Sequence, residues 1–296
     1  MYIRVGYEIG FDLPAPAPMM LLLYTHPSAA PFLRQPDTIY TDPSLPVHVF
    51  TDSFGNRCGR IYAPAGKLTL MGDMIVEDDG LPNPIALDAI QHRVDDLPDE
   101  CLQFLLPSRY CEVDKLSEIA WKLFGEVPPG WGKVQAISNW VNAHVTFGYQ
   151  HAHYTKTAFD VYETGKGVCR DFQHLAITLC RCMNIPARYA TGWLGDHGIA
   201  PDPGPMDFSA WFQVYLGGQW WTFDARYNVP RIGHVLMATG RDAADCALTT
   251  SFGSAPLLTF IVWSDSVETT ELTPVVHTVQ SMAYKESVAG RKNDTC

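Results

Sequence analysis

Two strand-like runs separated by a pair of glycines constrain the second half of this chain more than any other feature. The runs "WFQVYL" (211–216) and "QWWTFDA" (219–225) are rich in aromatic and β-branched residues, and Gly217-Gly218 between them is a two-residue hairpin signal. They predict adjacent antiparallel strands. Position 209 then lies opposite about position 226, which brings Ser209 close to Asp224 at the open end of the hairpin.

The first hundred residues have a different character. Short alternating or apolar runs are separated by Gly, Pro, Asn and Asp, and "DSFGNR" (52–57) is typical of a hairpin turn. This spacing predicts a β-sandwich-like domain over residues 1–105.

From about residue 106 the apolar residues recur at the helical spacing of three and four. We expect helices in "DKLSEIAWKLFG" (114–125), "GWGKVQAISNWVNAHV" (130–145) and "RDFQHLAITLCRCMN" (170–184). Asp114 is the expected cap of the first helix and Gly125 its stop. In the third helix, Phe172, Leu175, Ala176 and Leu179 form one apolar stripe.

Helices followed by antiparallel strands predict an α+β core over residues 106–250. Residues 251–296 are expected to return as strands against the preceding domains, with "KESVAGRKNDTC" (285–296) as a frayed tail.

Composition excludes several classes of partner. The formal net charge is −11 and the isoelectric point about 5.3, so nucleic acid and anionic lipid are unfavourable partners. No run reaches the roughly 18 apolar residues of a membrane span, and the apolar run at 19–24 follows "DLPAPAP" instead of a basic segment. We therefore expect a cytoplasmic protein that does not bind membranes. The oligomeric state stays open.

The cysteines favour neither a disulfide framework nor a metal site. Eight of them are scattered through the chain without a repeated spacing or a CxxC pair. Cys180 and Cys182 lie in an apolar segment, which suits buried packing better than zinc binding. No acidic loop of the EF-hand type suggests calcium.

The strongest local feature is "TGKGVCRD" (164–171), in which Cys169 falls at the first turn of a predicted helix. The unpaired N–H groups of a helix start favour an anion, and Lys166 and Arg170 add positive charge nearby. This placement predicts a lowered thiol pKa and a reactive thiolate. A cysteine that only packs at a helix start remains the alternative.

Four stretches together resemble the bacterial transglutaminase-like proteins, a family that includes proteins regarded as cysteine proteases. They are "LPSRYCEVDKLSEIAW", "GVCRDFQHLAITLCRCMNIPARYATGWLGD", "MDFSAWFQVYLGGQWWTFDAR" and "PRIGHVLMATGRDAAD". The resemblance implies a papain-like core with a Cys-His-Asp triad, preceded by the β-rich domain often attached to it. Carried over by position, the nucleophile is Cys169, the orienting carboxylate is Asp224, and Ser209 occupies the histidine position of the "HAW"-type motif.

Serine cannot replace histidine as a general base, because its hydroxyl takes up no proton near neutral pH. The imidazole of another histidine could serve as the general base. Alternatively, a weaker proton acceptor such as Asp224 or water could serve, and the reaction would then be slow. Alternatively, catalysis has lapsed and the cleft binds a peptide or partner. A further alternative is that position 209 originally held a histidine, which was replaced by serine to inactivate the enzyme.

Three histidines are the candidate substitute bases. His151 and His153 lie in the predicted loop "GYQHAHYTKTAF", and His197 lies on a loop that enters the sheet. His144, His174 and His234 are further histidines of the same region. His174 lies about 140° around the helix from Cys169 and should point elsewhere.

Several other residues have both a functional and a structural interpretation. Tyr149 or Gln150 could donate to an oxyanion beside the Cys169 N–H. Trp211, with Trp220 and Trp221, could line a substrate groove, although aromatic residues in a hairpin are more often core. His151 and His153 could be half of a metal site, but no third ligand stands at a recognisable spacing.

The sequence thus predicts cysteine-dependent acyl transfer on a peptide or protein substrate, through a thioester at Cys169 and without a cofactor. Hydrolysis is the expected outcome. The first alternative is a lapsed relative whose cleft is a binding module. The second is a metal-dependent hydrolase that uses His151 and His153.

Overall fold

The computed structural model describes residues 1–200 and 204–268. The predicted frayed tail lies outside the described residues. The first six strands are β1 (Tyr2–Leu13), β2 (Ala17–Leu21), β3 (Tyr40–Asp42), β4 (His48–Thr51), β5 (Arg57–Ala63) and β6 (Gly66–Glu77). The helices are α1 (Asp99–Leu102), α2 (Val113–Phe124), α3 (Trp131–His144), α4 (Ala158–Thr164) and α5 (Cys169–Cys182). The remaining strands are β7 (Thr146–Phe147), β8 (Lys166–Gly167), β9 (Ala187–Leu194), β10 (Ser209–Leu216), β11 (Gln219–Phe223), β12 (His234–Gly240), β13 (Thr249–Ser251) and β14 (Leu257–Val267).

The strands of the first hundred residues form two antiparallel sheets that share one apolar core. Their strand orders are β14-β1-β6-β3 and β13-β2-β5-β4. Apolar side chains from β1, β2, β5 and β6 are buried together between them. Because β13 and β14 complete the two sheets, the chain returns to this unit after the helical region.

The helical region packs around a third antiparallel sheet with the order β11-β10-β9-β12. Helix α5 is buried from Asp171 to Cys182 and contacts both β9 and β10. The predicted apolar stripe of α5 is confirmed, since Phe172, Leu175, Ala176 and Leu179 are all buried. These mixed helices and antiparallel sheets confirm the predicted α+β fold class. No segment of the described residues forms a helix long and apolar enough to cross a membrane.

Trp193 ties the third sheet to the first. Its indole is fully buried and its Nε1 donates a hydrogen bond to the carbonyl oxygen of Gly6 on β1 at 3.0 Å. Phe208, Val235 and Met237 join the same apolar core. The sandwich and the helical region are therefore packed together through β9, the following loop and β12. The predicted domain boundaries at residues 105 and 250 stay predictions.

The predicted hairpin is confirmed in its turn and in its register. Gly217 and Gly218 both adopt positive φ, 58° and 90°, and Phe212 pairs with Phe223. Positive φ at both turn residues explains why glycine stands at each position.

Two local predictions were wrong. Asp114 does not cap α2, because the helix already begins at Val113 and its N-cap is Glu112. The predicted loop over residues 148–159 is wrong only in its last two residues, which begin α4 at a reciprocal cap. Thr157 Oγ1 accepts from the Asp160 N–H at 3.3 Å, and the Asp160 carboxylate accepts from the Thr157 N–H at 2.9 Å.

Candidate active site

Helix α5 begins at Cys169 because two contacts of Asp171 fix the residues just before it. The carboxylate of Asp171 accepts a hydrogen bond from the Val168 N–H at 3.0 Å. At Gly167 a Cβ atom would lie 2.6 Å from the Asp171 Cβ, so only glycine fits there. These contacts place Cys169 at the first position of a buried helix, as predicted.

Cys169 lines a cavity of about 390 Å³. Its wall is formed by residues 194–197 and 204–209 around the connection between β9 and β10, by residues 264–266 of β14, and by Tyr149, Arg226 and Tyr227. The sandwich therefore supplies part of the wall, through β14. Cys169 itself is half-buried, which leaves the thiol open to this space.

The predicted lowering of the Cys169 pKa is wrong. Burial raises the pKa of the thiol to about 11, and the carboxylate of Asp207 acts in the same direction. Arg226 and the Arg170 backbone N–H oppose this rise without overcoming it. The Arg170 guanidinium instead pairs with Asp171 at 3.1 Å. The thiol is consequently protonated at neutral pH.

Ser209, the first residue of β10, lines the same cavity as Cys169. Its carbonyl oxygen accepts a hydrogen bond from Thr191 Oγ1 at 2.9 Å, which fixes the backbone of the strand start. The structure thus brings the predicted nucleophile and the position expected to hold a histidine to one space.

Asp224 follows β11 directly and is held by three donors. Its Oδ1 accepts hydrogen bonds from Gln173 Nε2 at 2.9 Å and from the N–H groups of Arg226 at 2.8 Å and Tyr227 at 3.3 Å. Burial raises the pKa of this carboxyl, while these hydrogen bonds act to lower it. Asp224 does not line the Cys169 cavity. It lines a second cavity of about 60 Å³ instead.

Asp207 and Arg226 are cavity residues that the sequence reasoning missed. Asp207 stands two residues before Ser209 on the cavity wall, and desolvation by the surrounding protein raises the pKa of its carboxyl, while the Phe208 N–H opposes this rise. The Arg226 guanidinium stacks on the ring of Phe147 at 3.8 Å and of Tyr227 at 4.6 Å. The only available signal was the closeness of both residues to the ends of the hairpin.

Only one of the three residues predicted to line the cleft does so in the structure. Tyr149 lines the cavity, whereas Gln150 and Trp211 do not. Trp211 is 1% exposed and packs edge-on against the His234 ring at 4.6 Å. Its side chain is therefore part of the core and does not line a groove.

In the described part of the chain, the candidate substitute bases have hydrogen-bond partners other than the thiol. His151 and His153 are not cavity residues, and His153 Nδ1 bonds instead to Thr155 Oγ1 at 2.9 Å. His197 does line the cavity, but its Nδ1 lies 3.0 Å from Ser266 Oγ and its Nε2 lies 3.2 Å from Ser264 Oγ. Burial lowers the pKa of His197. Within residues 1–200 and 204–268, no imidazole forms a hydrogen bond with Cys169.

His174 and His234 face other surroundings. His174 is buried, stacks on Tyr110 at 4.9 Å and accepts a hydrogen bond from the Ala243 N–H at 3.1 Å. His234 lines the smaller cavity with Asp224, and neither of its ring nitrogens has a hydrogen-bond partner among residues 1–200 and 204–268. Among the described residues, no group of three or more His, Cys, Asp and Glu side chains is placed to hold a metal ion.

Comparison with known proteins agrees with this architecture. The family model of the transglutaminase-like superfamily matches residues 119–225, which run from α2 to the end of the hairpin. A crystal structure from Cytophaga hutchinsonii, named as a "Putative Cysteine Protease", is 31% identical, covers 93% of each chain and superposes with a TM-score of 0.77. An uncharacterized protein of Mycobacterium leprae is 27% identical over 196 residues, which cover 63% of this chain and 68% of that protein. The predicted resemblance and the predicted papain-like core are thereby confirmed, and the chain belongs to the transglutaminase-like superfamily.

Proposed function

We propose that this protein catalyses slow, cysteine-dependent acyl transfer on peptide or side-chain amides, with water as the acceptor. One observation carries the proposal. Cys169 opens at the start of α5 into a cavity whose wall also holds the carboxylate of Asp207. A thiol and a proton acceptor in one shared cavity are the minimum that attack on an amide requires.

In this reaction Asp207 takes the thiol proton as the Cys169 sulfur attacks the amide carbon. The tetrahedral intermediate collapses to a thioester, and the protonated Asp207 returns the proton to the leaving amine. Water then attacks the thioester with Asp207 again as the base. The released acid and the free thiol complete the cycle, so protons and bonds balance without a cofactor.

Two groups fit stabilisation of the negative oxygen of the intermediate. The first is the start of α5, where the Arg170 backbone N–H acts on the Cys169 thiol and where unpaired N–H groups favour a developing anion. Tyr149, one of the predicted donors, adds a phenol hydroxyl on the cavity wall. Gln150 is not assigned this role, because it lies outside the cavity.

The rate should be low for a physical reason. With the Cys169 pKa at about 11, roughly one thiol in 10⁴ is ionised at pH 7, so the proton must leave during the attack. A carboxylate accepts it less readily than an imidazole whose pKa lies near 7. General-base assistance typically contributes about 10²–10⁴ in rate, and part of it is forgone here.

A second function has its own supporting observation. The raised thiol pKa, together with a His197 ring engaged by two serine hydroxyls, favours a cleft that binds a peptide without turnover. Ser209 then marks a lapsed catalytic position in a binding module.

Hydrolysis of a fluorogenic peptide amide at high enzyme concentration distinguishes the two functions. The enzyme proposal predicts slow release that disappears in Cys169→Ser and falls strongly in Asp207→Asn. Binding of the same peptide by wild type and Cys169→Ser with equal affinity, without any release, would establish the binding module instead.

A further inference from the structure

Gln173 is joined to the site by both ends of its side-chain amide. Its Nε2 donates to Asp224 Oδ1 at 2.9 Å, and its Oε1 accepts from the Ala225 N–H at 3.2 Å. The orientation is unambiguous, because a carboxylate only accepts and a backbone N–H only donates. Gln173 is fully buried, one helical turn after Cys169 on α5.

This arrangement satisfies Oδ1 of Asp224 without an imidazole. That oxygen already receives Gln173 and two backbone N–H groups, which fill the acceptor capacity of Oδ1. A neutral amide orients the carboxylate as a histidine N–H would, but it cannot take up a proton. Asp224 is therefore held as a structural acceptor.

The carboxyl that these three bonds hold lies beside a different cavity from that of Cys169. Asp224 contributes to the cavity that also contains His234, and not to the cavity that contains Cys169 and Ser209. Since Oδ1 is tied to α5 and to the turn after β11, the whole group is fixed in this orientation.

We propose that Gln173 is a positioning residue that withholds Asp224 from position 209, so that a histidine introduced there regains its carboxylate partner only when Gln173 is also replaced. The inference rests on the proposed acyl-transfer site. It differs from that proposal in predicting a coupling between two residues that do not both line the same cavity.

A double-mutant cycle tests this coupling. The variants are Ser209→His, Gln173→Met and the combination, and methionine keeps the side-chain volume while removing the donor and acceptor. The matched control is Gln213→Met on β10, whose amide bonds to Arg188 and Thr222 and which itself lines neither cavity. The readout is the apparent pKa of Cys169, from iodoacetamide alkylation at pH values from about 6 to 12, which bracket the raised pKa of the thiol, with peptide mass spectrometry.

We expect Ser209→His alone to lower the apparent pKa by less than about one unit, and the double variant to lower it by about two units or more. Gln173→Met alone and Ser209→His/Gln213→Met should give no such additional fall. An equal fall in Ser209→His and in the double variant would overturn the role of Gln173 while leaving the acyl-transfer site intact. No fall in either variant, with native circular dichroism and an alkylatable Cys169, would overturn the inference because Asp224 then never serves position 209.

Peptide hydrolysis by the unsubstituted protein, measured in parallel, keeps the two proposals separate. Its dependence on Cys169 and Asp207 tests the acyl-transfer function, whichever way the coupling between positions 209 and 173 turns out.

Discussion

Cys169 and Ser209 line one cavity, so position 209 presents a hydroxyl to the space in which the thiol lies. A histidine at this position would place an imidazole there, and imidazole is a better proton acceptor than the carboxylates near the site. Gln173 limits the gain, because it keeps Asp224 engaged.

Ser209→His should therefore raise the rate of peptide-amide hydrolysis by only about 10-fold, short of the 10²–10⁴ typical of a complete general base. The measurement is steady-state release from a fluorogenic peptide. Ser209→Ala is the control and should leave the rate unchanged, since no step uses the serine hydroxyl. A large loss in Ser209→Ala would show that the serine itself takes part.

Asp207 has two opposite effects that one substitution separates. Its charge raises the pKa of Cys169, and in our mechanism its carboxylate also accepts the thiol proton. Asp207→Asn should thus lower the thiol pKa and yet reduce hydrolysis by about 10-fold or more. Asp265→Asn alters another carboxylate of the cavity wall and should have a smaller effect. Faster hydrolysis in Asp207→Asn would mean that Asp207 only hinders thiolate formation.

The pH profile of hydrolysis should carry the signature of Asp207. The protein around it raises the pKa of this carboxyl above the ordinary 3.8, and only the ionised form accepts a proton. Activity should rise with pH through that raised pKa, and Asp207→Asn should lose this limb. An unchanged limb in the variant would assign it to another group.

His234 predicts how stability depends on acid. Burial lowers the pKa of His234 to about 3, from an ordinary value of 6.5, so the folded protein favours the neutral ring. The stability contributed is present above pH 6.5 and is lost as the pH falls toward 3, by about 5 kcal/mol at most at 1.36 kcal/mol per unit.

Urea unfolding between pH 7 and 4 measures this loss. His234→Phe keeps a ring against Trp211 and should show a shallower fall in the free energy of unfolding with acid. Parallel curves for the wild type and the variant would contradict the assignment.

Trp193 should couple the sandwich to the third sheet energetically. Its buried ring and its bond to Gly6 are lost in Trp193→Ala, which should cost about 3–5 kcal/mol in the free energy of unfolding. Trp121 is 51% exposed, so Trp121→Ala is a suitable control with a small expected cost. A cost below about 1 kcal/mol for Trp193→Ala would show that this contact contributes little.

The features that could be predicted from the sequence depend on local chemistry. Gly217-Gly218 determined the hairpin and its register, because a tight turn with positive φ sets the pairing of the residues beside it. The start of α5 near Cys169 was also predictable, from the glycines before it and the apolar stripe after it.

The remaining features depend on residues far apart in the sequence. The high pKa of Cys169 arises from burial and from Asp207, neither of which the local sequence reveals. The hydrogen bond between Gln173 and Asp224 depends on how close α5 lies to the end of β11, which the sequence alone does not reveal. Helix α4 was overlooked although Thr157 and Asp160 carry a capping signal, because its apolar period is too short to stand out.

Mapping the acyl group on a trapped intermediate tests the central claim most directly. The protein would be incubated with the p-nitrophenyl ester of an acetylated amino acid, quenched in acid and digested for peptide mass spectrometry. The account predicts an acyl group on Cys169 that is absent in Cys169→Ser and forms more slowly in Asp207→Asn. Acylation spread over several cysteines, or no acylation at Cys169 in the folded protein, would contradict it.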